Sequence, residues 1–328
     1  MWVGPPSRGM TGTETVLVTG GRGYVGSYLA SALIEDGHDV VTFDTATGAG
    51  HLERLGVAGT VRHVDGDVTD AMALARAARE DDVSRIVHLA AVLTEDVRSD
   101  QPAATRVNAL GANNALEVAR LLSDRIDRVV LASSETVYAP GSAYDGPVEE
   151  GTLLRPDSTY SATKRHAECL AGVYREAHDV PAVALRPTGV FGPFRRSFTE
   201  FVDLFRGPAL GDPVRVHGGG TAVSWLYAED AADALRRAAL APPDALEHGV
   251  YNVRGEVATV AEAAEAVRET VDGATVEVAD DEDLDWSAQH LSLSRSRADL
   301  GYEVEYDLSR LAREHVEAIR RADEGDGV

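Results

Sequence analysis

The chain has 328 residues, enough to bury a large core or two domains, and no apolar run approaches the ~20 residues that span a bilayer. Its formal net charge is -23, which sets its surface against nucleic acid and anionic membranes. Lys164 is the one lysine and Cys169 the one cysteine, so no intrachain disulfide exists, and the composition fits a reducing, high-salt cytoplasm.

Residues 1–14 carry Gly, Pro, Ser and Thr without an apolar segment, and read as a flexible leader, not a signal peptide. Thr15–Thr19 is then an apolar strand and Tyr24–Glu35 has helical spacing. Strands are expected at Val40–Phe43, Val61–Val64, Arg85–Leu89, Arg128–Ala132 and Ala182–Leu185. Between them lie helices at about Asp70–Glu80, Pro102–Leu121 and Ser158–His178. This alternation predicts a doubly wound parallel sheet covered on both faces. After Arg186 glycine and proline become frequent, and helices are expected near Glu229–Leu240, Val260–Val271 and Leu308–Arg321. The expected division is a Rossmann-type domain over 15–185 and a smaller α/β substrate-binding domain over 186–328.

The run Val16-Leu-Val-Thr-Gly20-Gly-Arg-Gly23-Tyr-Val-Gly26 places glycines three residues apart, directly after a strand and at the start of a helix. Such a turn brings a pyrophosphate against free backbone N–H groups and the positive end of the helix dipole. Asp44 ends the second strand, where its carboxylate can accept from a ribose 2′-hydroxyl and repel a 2′-phosphate, which favours NAD over NADP. Arg22, inside the turn, argues the other way unless it is a solvated surface arginine.

Tyr160 and Lys164 stand four residues apart on one helix face. A fixed ammonium beside a phenol favours the phenolate, a general base for an alcohol proton. Ser133-Ser134-Glu135-Thr136-Val137-Tyr138 follows a predicted strand, so hydroxyls lie at the carboxyl edge of the sheet, where ligands sit. Ten histidines show no metal-ligand spacing, and no metal is expected.

With these segments the chain resembles an extended short-chain dehydrogenase/reductase of the NAD-dependent epimerase/dehydratase family, over about residues 15 to 320. The resemblance also rests on Asp67-Val68, His88-Leu-Ala-Ala91, Val107-Asn108, Leu185-Arg-Pro187, Trp225 to Asp230 and Tyr251-Asn-Val253. It implies NAD held by Gly20, Gly23, Tyr24, Val25, Gly26 and Asp44, with Asp67 and Val68 beside the adenine. Leu89, Ala90, Ala91 and Pro187 belong to the implied path to the nicotinamide, Asn108 supports a helix near the active site, and Lys164 also bonds the nicotinamide ribose. Ser134 is implied to hold the substrate oxygen and Tyr160 to take its proton, with Glu135, Thr136 and Arg195 as further substrate contacts. The family often dimerises through its two long helices, here near 102–121 and 158–178.

Three departures bear on the substrate. Family dehydratases carry Asp-Glu where this chain has Glu135-Thr136, which disfavours dehydration. Nucleotide-sugar epimerases carry Asn after the Leu-Arg segment and Arg before the Phe-Val-Tyr-like strand; here stand Leu185-Arg-Pro-Thr-Gly189 and Val223-Ser224. Arg186, Arg195, Arg196 or Arg215 are the candidates to replace those diphosphate contacts. The leading expectation is a sugar epimerase, with a net dehydrogenase of a free sugar, sugar acid or other secondary alcohol as the alternative, and a non-catalytic NAD-sensing protein as a third.

Overall fold

The computed structural model describes residues 12–93, 100–195, 199–242, 244–279 and 289–325. Strands β1 (Thr15–Thr19), β2 (Asp39–Asp44), β3 (Arg62–Asp65), β4 (Arg85–His88), β5 (Arg128–Ala132) and β6 (Ala182–Pro187) alternate with helices α1 (Tyr24–Glu35), α2 (His51–Arg54), α3 (Ala71–Glu80), α4 (Gln101–Thr105), α5 (Gly111–Leu121) and α6 (Thr159–His178). Asp70 caps α3 by accepting from the N–H groups of Met72 and Ala73, and Ser158 forms a reciprocal capping box with Ser161 at the start of α6. The helix expected over 102–121 is interrupted by a π-turn at Arg106–Leu110, because Asn108 turns inward to bond the loop after β4.

The remaining elements are β7 (Val190–Phe191), α7 (Thr199–Leu210), β8 (Val214–Val216), β9 (Ala222–Tyr227), α8 (Ala228–Leu240), β10 (Val250–Val253), β11 (Glu256–Thr259), α9 (Val260–Thr270), β12 (Val276–Val278), α10 (Ser294–Leu300) and α11 (Leu308–Gly325). Seven parallel strands form the main sheet in the order β10-β6-β5-β4-β1-β2-β3. Its order reverses beside β1, the position at which open parallel sheets bind ligands.

The two expected domains interleave instead of meeting at residue 185. β10 pairs with β6, and α8 packs on α1, with Leu29 and Leu33 against Ala231, Leu235 and Ala238 in one buried cluster. The cause is hydrophobic: β10 and the alanine-rich face of α8 bury their apolar surface on the main sheet. On the opposite face Phe43, Leu74, Leu116 and Ala167 pack together. The smaller unit gathers a three-stranded sheet, β11-β9-β7, and the β8–β12 pair around Trp225, which is fully buried against Phe191, Phe201 and Phe205. Among the described residues, no helix is long and apolar enough to cross a membrane, and no group of three His, Cys, Asp or Glu side chains is placed to hold a metal ion.

Candidate active site

The turn after β1 leaves no room for a Cβ at its glycines. Gly20 has φ +68°, and a Cβ there would stand 2.8 Å from the Ala90 nitrogen; one on Gly26 would stand 2.5 Å from the Gly20 oxygen. β1, the start of α1 and the loop after β4 therefore meet as bare backbone. Beneath them opens a cavity of about 820 Å³. Gly20, Gly23, Tyr24, Val25 and Gly26 line it at the start of α1, Asp44, Asp67 and Val68 after β2 and β3, and Leu89, Ala90, Ala91 and Pro187 after β4 and at the end of β6. Ser134, Glu135, Thr136, Tyr160, Lys164 and Arg195 share the same cavity. A side-chain-free cradle at a helix N-terminus, followed by apolar walls, fits a dinucleotide.

Asp44 is held by two backbone donors, Arg22 N to Oδ2 and Ala46 N to Oδ1, each at 3.0 Å. Arg22 is not the solvated arginine that the sequence allowed. Its side chain is buried, paired with Asp65 at 2.8 Å and bonded to the Ala46 carbonyl. With those partners engaged it is not free to receive a 2′-phosphate, which leaves Asp44 to set the local charge.

Ser158 fixes the first turn of α6 and so places Tyr160 at the helix start, with Lys164 one turn later. The Lys164 Nζ lies 5.5 Å from the Tyr160 ring centroid and donates to the Ala132 carbonyl at 2.7 Å. Lys164 is buried and Tyr160 half-buried, and this changes the expected acid–base balance. Burial drives the phenol well above its ordinary pKa and Glu135 pushes the same way, while Arg195 and a hydrogen bond with Ser134 pull it down. Burial likewise lowers Lys164 to about 8, opposed by Glu168. Desolvation is thus the first cause of the shift at both groups. Ser134 donates to Glu135 Oε2 at 2.9 Å and accepts from the Thr136 hydroxyl at 3.0 Å and the Thr136 N–H at 3.2 Å.

Asn108 alone of the expected cofactor set lies behind the cavity wall. Its side chain accepts from Val92 N at 2.7 Å and donates to Val92 O at 3.0 Å and the Thr163 hydroxyl at 3.3 Å, tying the loop after β4 to α6. Of the arginines expected near a diphosphate, Arg195 lines the cavity, stacked 5.1 Å over the Tyr24 ring. Arg186 does not: it is buried beneath the site in an ion pair with Glu168. Arg215 sits on β8, exposed and 3.7 Å from Glu277. Arg196 lies outside the described residues.

Sequence reasoning missed the network under the site. Arg186 donates to both carboxylate oxygens of Glu168 and, at 2.6 Å, to the Tyr138 hydroxyl, which donates to Asn252 Oδ1 at 2.8 Å. Ser133 donates to the same Glu168. The signal was available in part, since Glu168 follows Lys164 by four residues on one helix face. His88 closes the other side against the Thr19 hydroxyl at 2.8 Å, held neutral by burial and then by Lys164, with its pKa lowered to about 3.

A Rossmann-type sheet with a glycine turn, a Ser–Tyr–Lys constellation and a small C-terminal unit defines an extended dinucleotide-dependent oxidoreductase architecture. Residues 16–253 match the NAD dependent epimerase/dehydratase family, and the chain belongs to that family. It is 33% identical to the low-salt glycan biosynthesis protein Agl12 of Haloferax volcanii, over 89% of this chain and 94% of that protein. It is 30% identical to a probable UDP-glucuronate 4-epimerase of Rhizobium meliloti, over 69% and 68%. The structure of a UDP-glucose 4-epimerase of Thermus thermophilus in complex with NAD superposes with a TM-score of 0.78 at 28% identity, over 94% of this chain and 99% of that one.

Proposed function

We propose that this chain is an NAD-dependent sugar epimerase that works by hydride transfer at a secondary alcohol. The observation that carries the reading is one cavity lined by the glycine cradle and by Ser134, Tyr160 and Lys164. When bound, NAD would supply the hydride acceptor and donor for inversion at that carbon. Ser134 orients the alcohol oxygen, Tyr160 exchanges its proton, and buried Lys164 holds positive charge behind them. The Gly20 and Gly26 cradle seats the pyrophosphate, Asp44 receives the adenosine ribose, and Asp67 and Val68 flank the adenine. Arg195, in the cavity wall, is the contact for a substrate phosphate if the sugar carries a nucleotide.

The relatives named for UDP-sugar epimerisation support this reading. The chain acts in a high-salt cytoplasm, a reading supported by its acidity, its lone cysteine and the Haloferax relative. It pairs as a homodimer through the helical segments near 102–121 and 158–178, where Leu110, Leu121 and Val173 are exposed.

The test is incubation of the purified protein with NAD and either UDP-glucose or UDP-glucuronate, following the product by NMR. A 4-epimer appearing without net NADH is the expected result; steady NADH accumulation overturns the epimerase reading. Tyr160→Phe should cut turnover by at least ~100-fold while leaving the fold and NAD affinity nearly intact, the usual scale for losing a general acid–base group.

A further inference from the structure

We infer that Ser133 is a positioning residue: its hydroxyl on Glu168 fixes the spacing between the Ser134 hydroxyl and the Lys164 ammonium. The inference rests on the alcohol-oxidising reading above and names the device that holds its parts in register.

A closed ring of contacts carries it. The end of β5 meets α6 at two successive residues. The Ala132 carbonyl accepts from Lys164 Nζ at 2.7 Å, and the Ser133 hydroxyl donates to Glu168 Oε1. Lys164 and Glu168 stand four residues apart on α6, so one step along the strand is matched to one helical turn. The ring closes through β6. Ser133 N donates to the Leu185 carbonyl at 2.7 Å, and the next residue, Arg186, donates Nε and Nη2 to Glu168 at 2.8 and 2.7 Å. Arg186 is itself fixed by Nη1, on the Tyr138 hydroxyl at 2.6 Å and the Glu150 carbonyl at 3.0 Å. Ser133, Glu168 and Arg186 are all buried.

A buried ion pair gains little over apolar packing of the same volume, so stability alone does not account for this ring. Its place in the fold does. Ser134 follows Ser133 directly in extended backbone, and its Oγ donates to Glu135 and accepts from Thr136. Those contacts stay within residues 134–136: they orient the hydroxyl on its own turn and do not register that turn against α6. Ser133 supplies the register one residue earlier. The reaction needs an alcohol oxygen on Ser134 to face the phenol and the ammonium of α6 at one distance, and a misplacement of about 1 Å costs on the order of 100-fold in rate. With its hydroxyl spent on Glu168, Ser133 acts through Ser134 and not on the substrate.

The experiment has two arms on the full-length protein. The first needs no substrate. Lys164 is the one lysine, so lysine isotope-labelled at Cε gives a single NMR signal from the chain. Ser133→Ala moves that signal, because the carbonyl that holds the ammonium belongs to the peptide joining Ala132 to Ser133. An unmoved signal overturns the proposal. In the second arm, NAD-loaded protein is given UDP-glucose or UDP-glucuronate. Ser133→Ala lowers kcat by at least about tenfold, with KM and NAD affinity within about twofold of the wild type. Ser133→Cys, close in volume but only a weak donor, falls with it, which separates the lost hydrogen bond from a void. A variant that melts at lower temperature yet keeps wild-type kcat has lost stability alone, and overturns the positioning role. In a Ser134→Ala background Ser133→Ala costs nothing further in kcat, because the group it positions is already gone. A full additional loss there overturns it as well. If the wild type turns over neither sugar, the substrate reading fails for them, and the lysine signal still decides the tie between β5 and α6.

Discussion

Arg186 sets two guanidinium nitrogens against the carboxylate of Glu168, at 2.8 and 2.7 Å, and that carboxylate stands one helical turn beyond Lys164 on α6. Both partners are buried, so removing one strands the other. Glu168→Ala should cost about 3–5 kcal/mol of stability, the scale for breaking a buried pair. Chemical denaturation measures it, and a loss within the range of surface substitutions would show that the pair is dispensable.

The same carboxylate helps Lys164 keep its proton against burial, which has brought that ammonium down to about 8. Glu168→Gln keeps the shape and removes the charge. Lys164 then deprotonates at lower pH, and the alkaline limb of turnover moves to lower pH with it. A pH–rate profile with an unmoved alkaline limb would sever Glu168 from Lys164.

Asp44 should make the protein prefer NAD. Its carboxylate is oriented by two backbone donors, and the nearest cation in the turn, Arg22, is spent on Asp65 and the Ala46 carbonyl. Asp44→Ala or Asp44→Ser should relax the preference toward NADP. Titration of both cofactors into the wild type is the check, and tighter binding of NADP than NAD would contradict the assignment.

Much of the site was legible because it is local in sequence. The glycine turn, the strand before it and the helix Tyr24–Glu35 all lie within one βα unit, and Tyr160 and Lys164 share one helix. The parts that were not legible depend on distant partners. Arg186 reads as a candidate phosphate ligand until Glu168 and Tyr138 are seen closing around it, and Arg22 reads as solvated until Asp65 arrives from β3. β7, β8, β11 and β12 have only two to four residues each, too few for a period-two pattern to stand out. α7 is obscured by Gly207 and Pro208 near its end. β10 could not be assigned to the main sheet from sequence, because pairing with β6 is a long-range event.

His315 should make the fold acid-sensitive. It is fully buried on α11, stacked 4.8 Å from the Phe205 ring, and neither ring nitrogen has a hydrogen-bond partner among the described residues. Burial lowers its pKa to about 3, against ~6.5 for an unperturbed histidine. Above that ordinary value the ring is neutral folded and unfolded. Below it the unfolded chain takes up a proton that the folded chain refuses, so stability falls as pH drops from ~6.5 toward 3, by up to about 1.4 kcal/mol per pH unit from this group. His315→Phe should keep the stacked geometry and flatten that part of the stability–pH curve. Parallel curves for variant and wild type would exclude His315 as the cause.

The last expectation concerns salt. The net charge of -23 comes from 54 acidic residues against 31 basic ones, and the compact state bears their mutual repulsion more than the expanded chain does. The Debye length is about 10 Å at 0.1 M salt and about 3 Å at 1 M, so molar salt screens carboxylates that dilute buffer leaves interacting. Melting temperature should therefore rise as potassium chloride goes from dilute to molar. The one lysine sharpens the argument. Lys164 is buried, with its ammonium on the Ala132 carbonyl and its ring neighbour Tyr160 beside it, a place shaped for a compact point charge. A planar guanidinium is longer and forked and does not reproduce that single contact. Lys164→Arg should accordingly lose activity while keeping the same rise of melting temperature with salt, because chemistry and surface charge reside in different residues. A melting temperature that is flat or falling with salt removes the high-salt reading and leaves the family assignment standing.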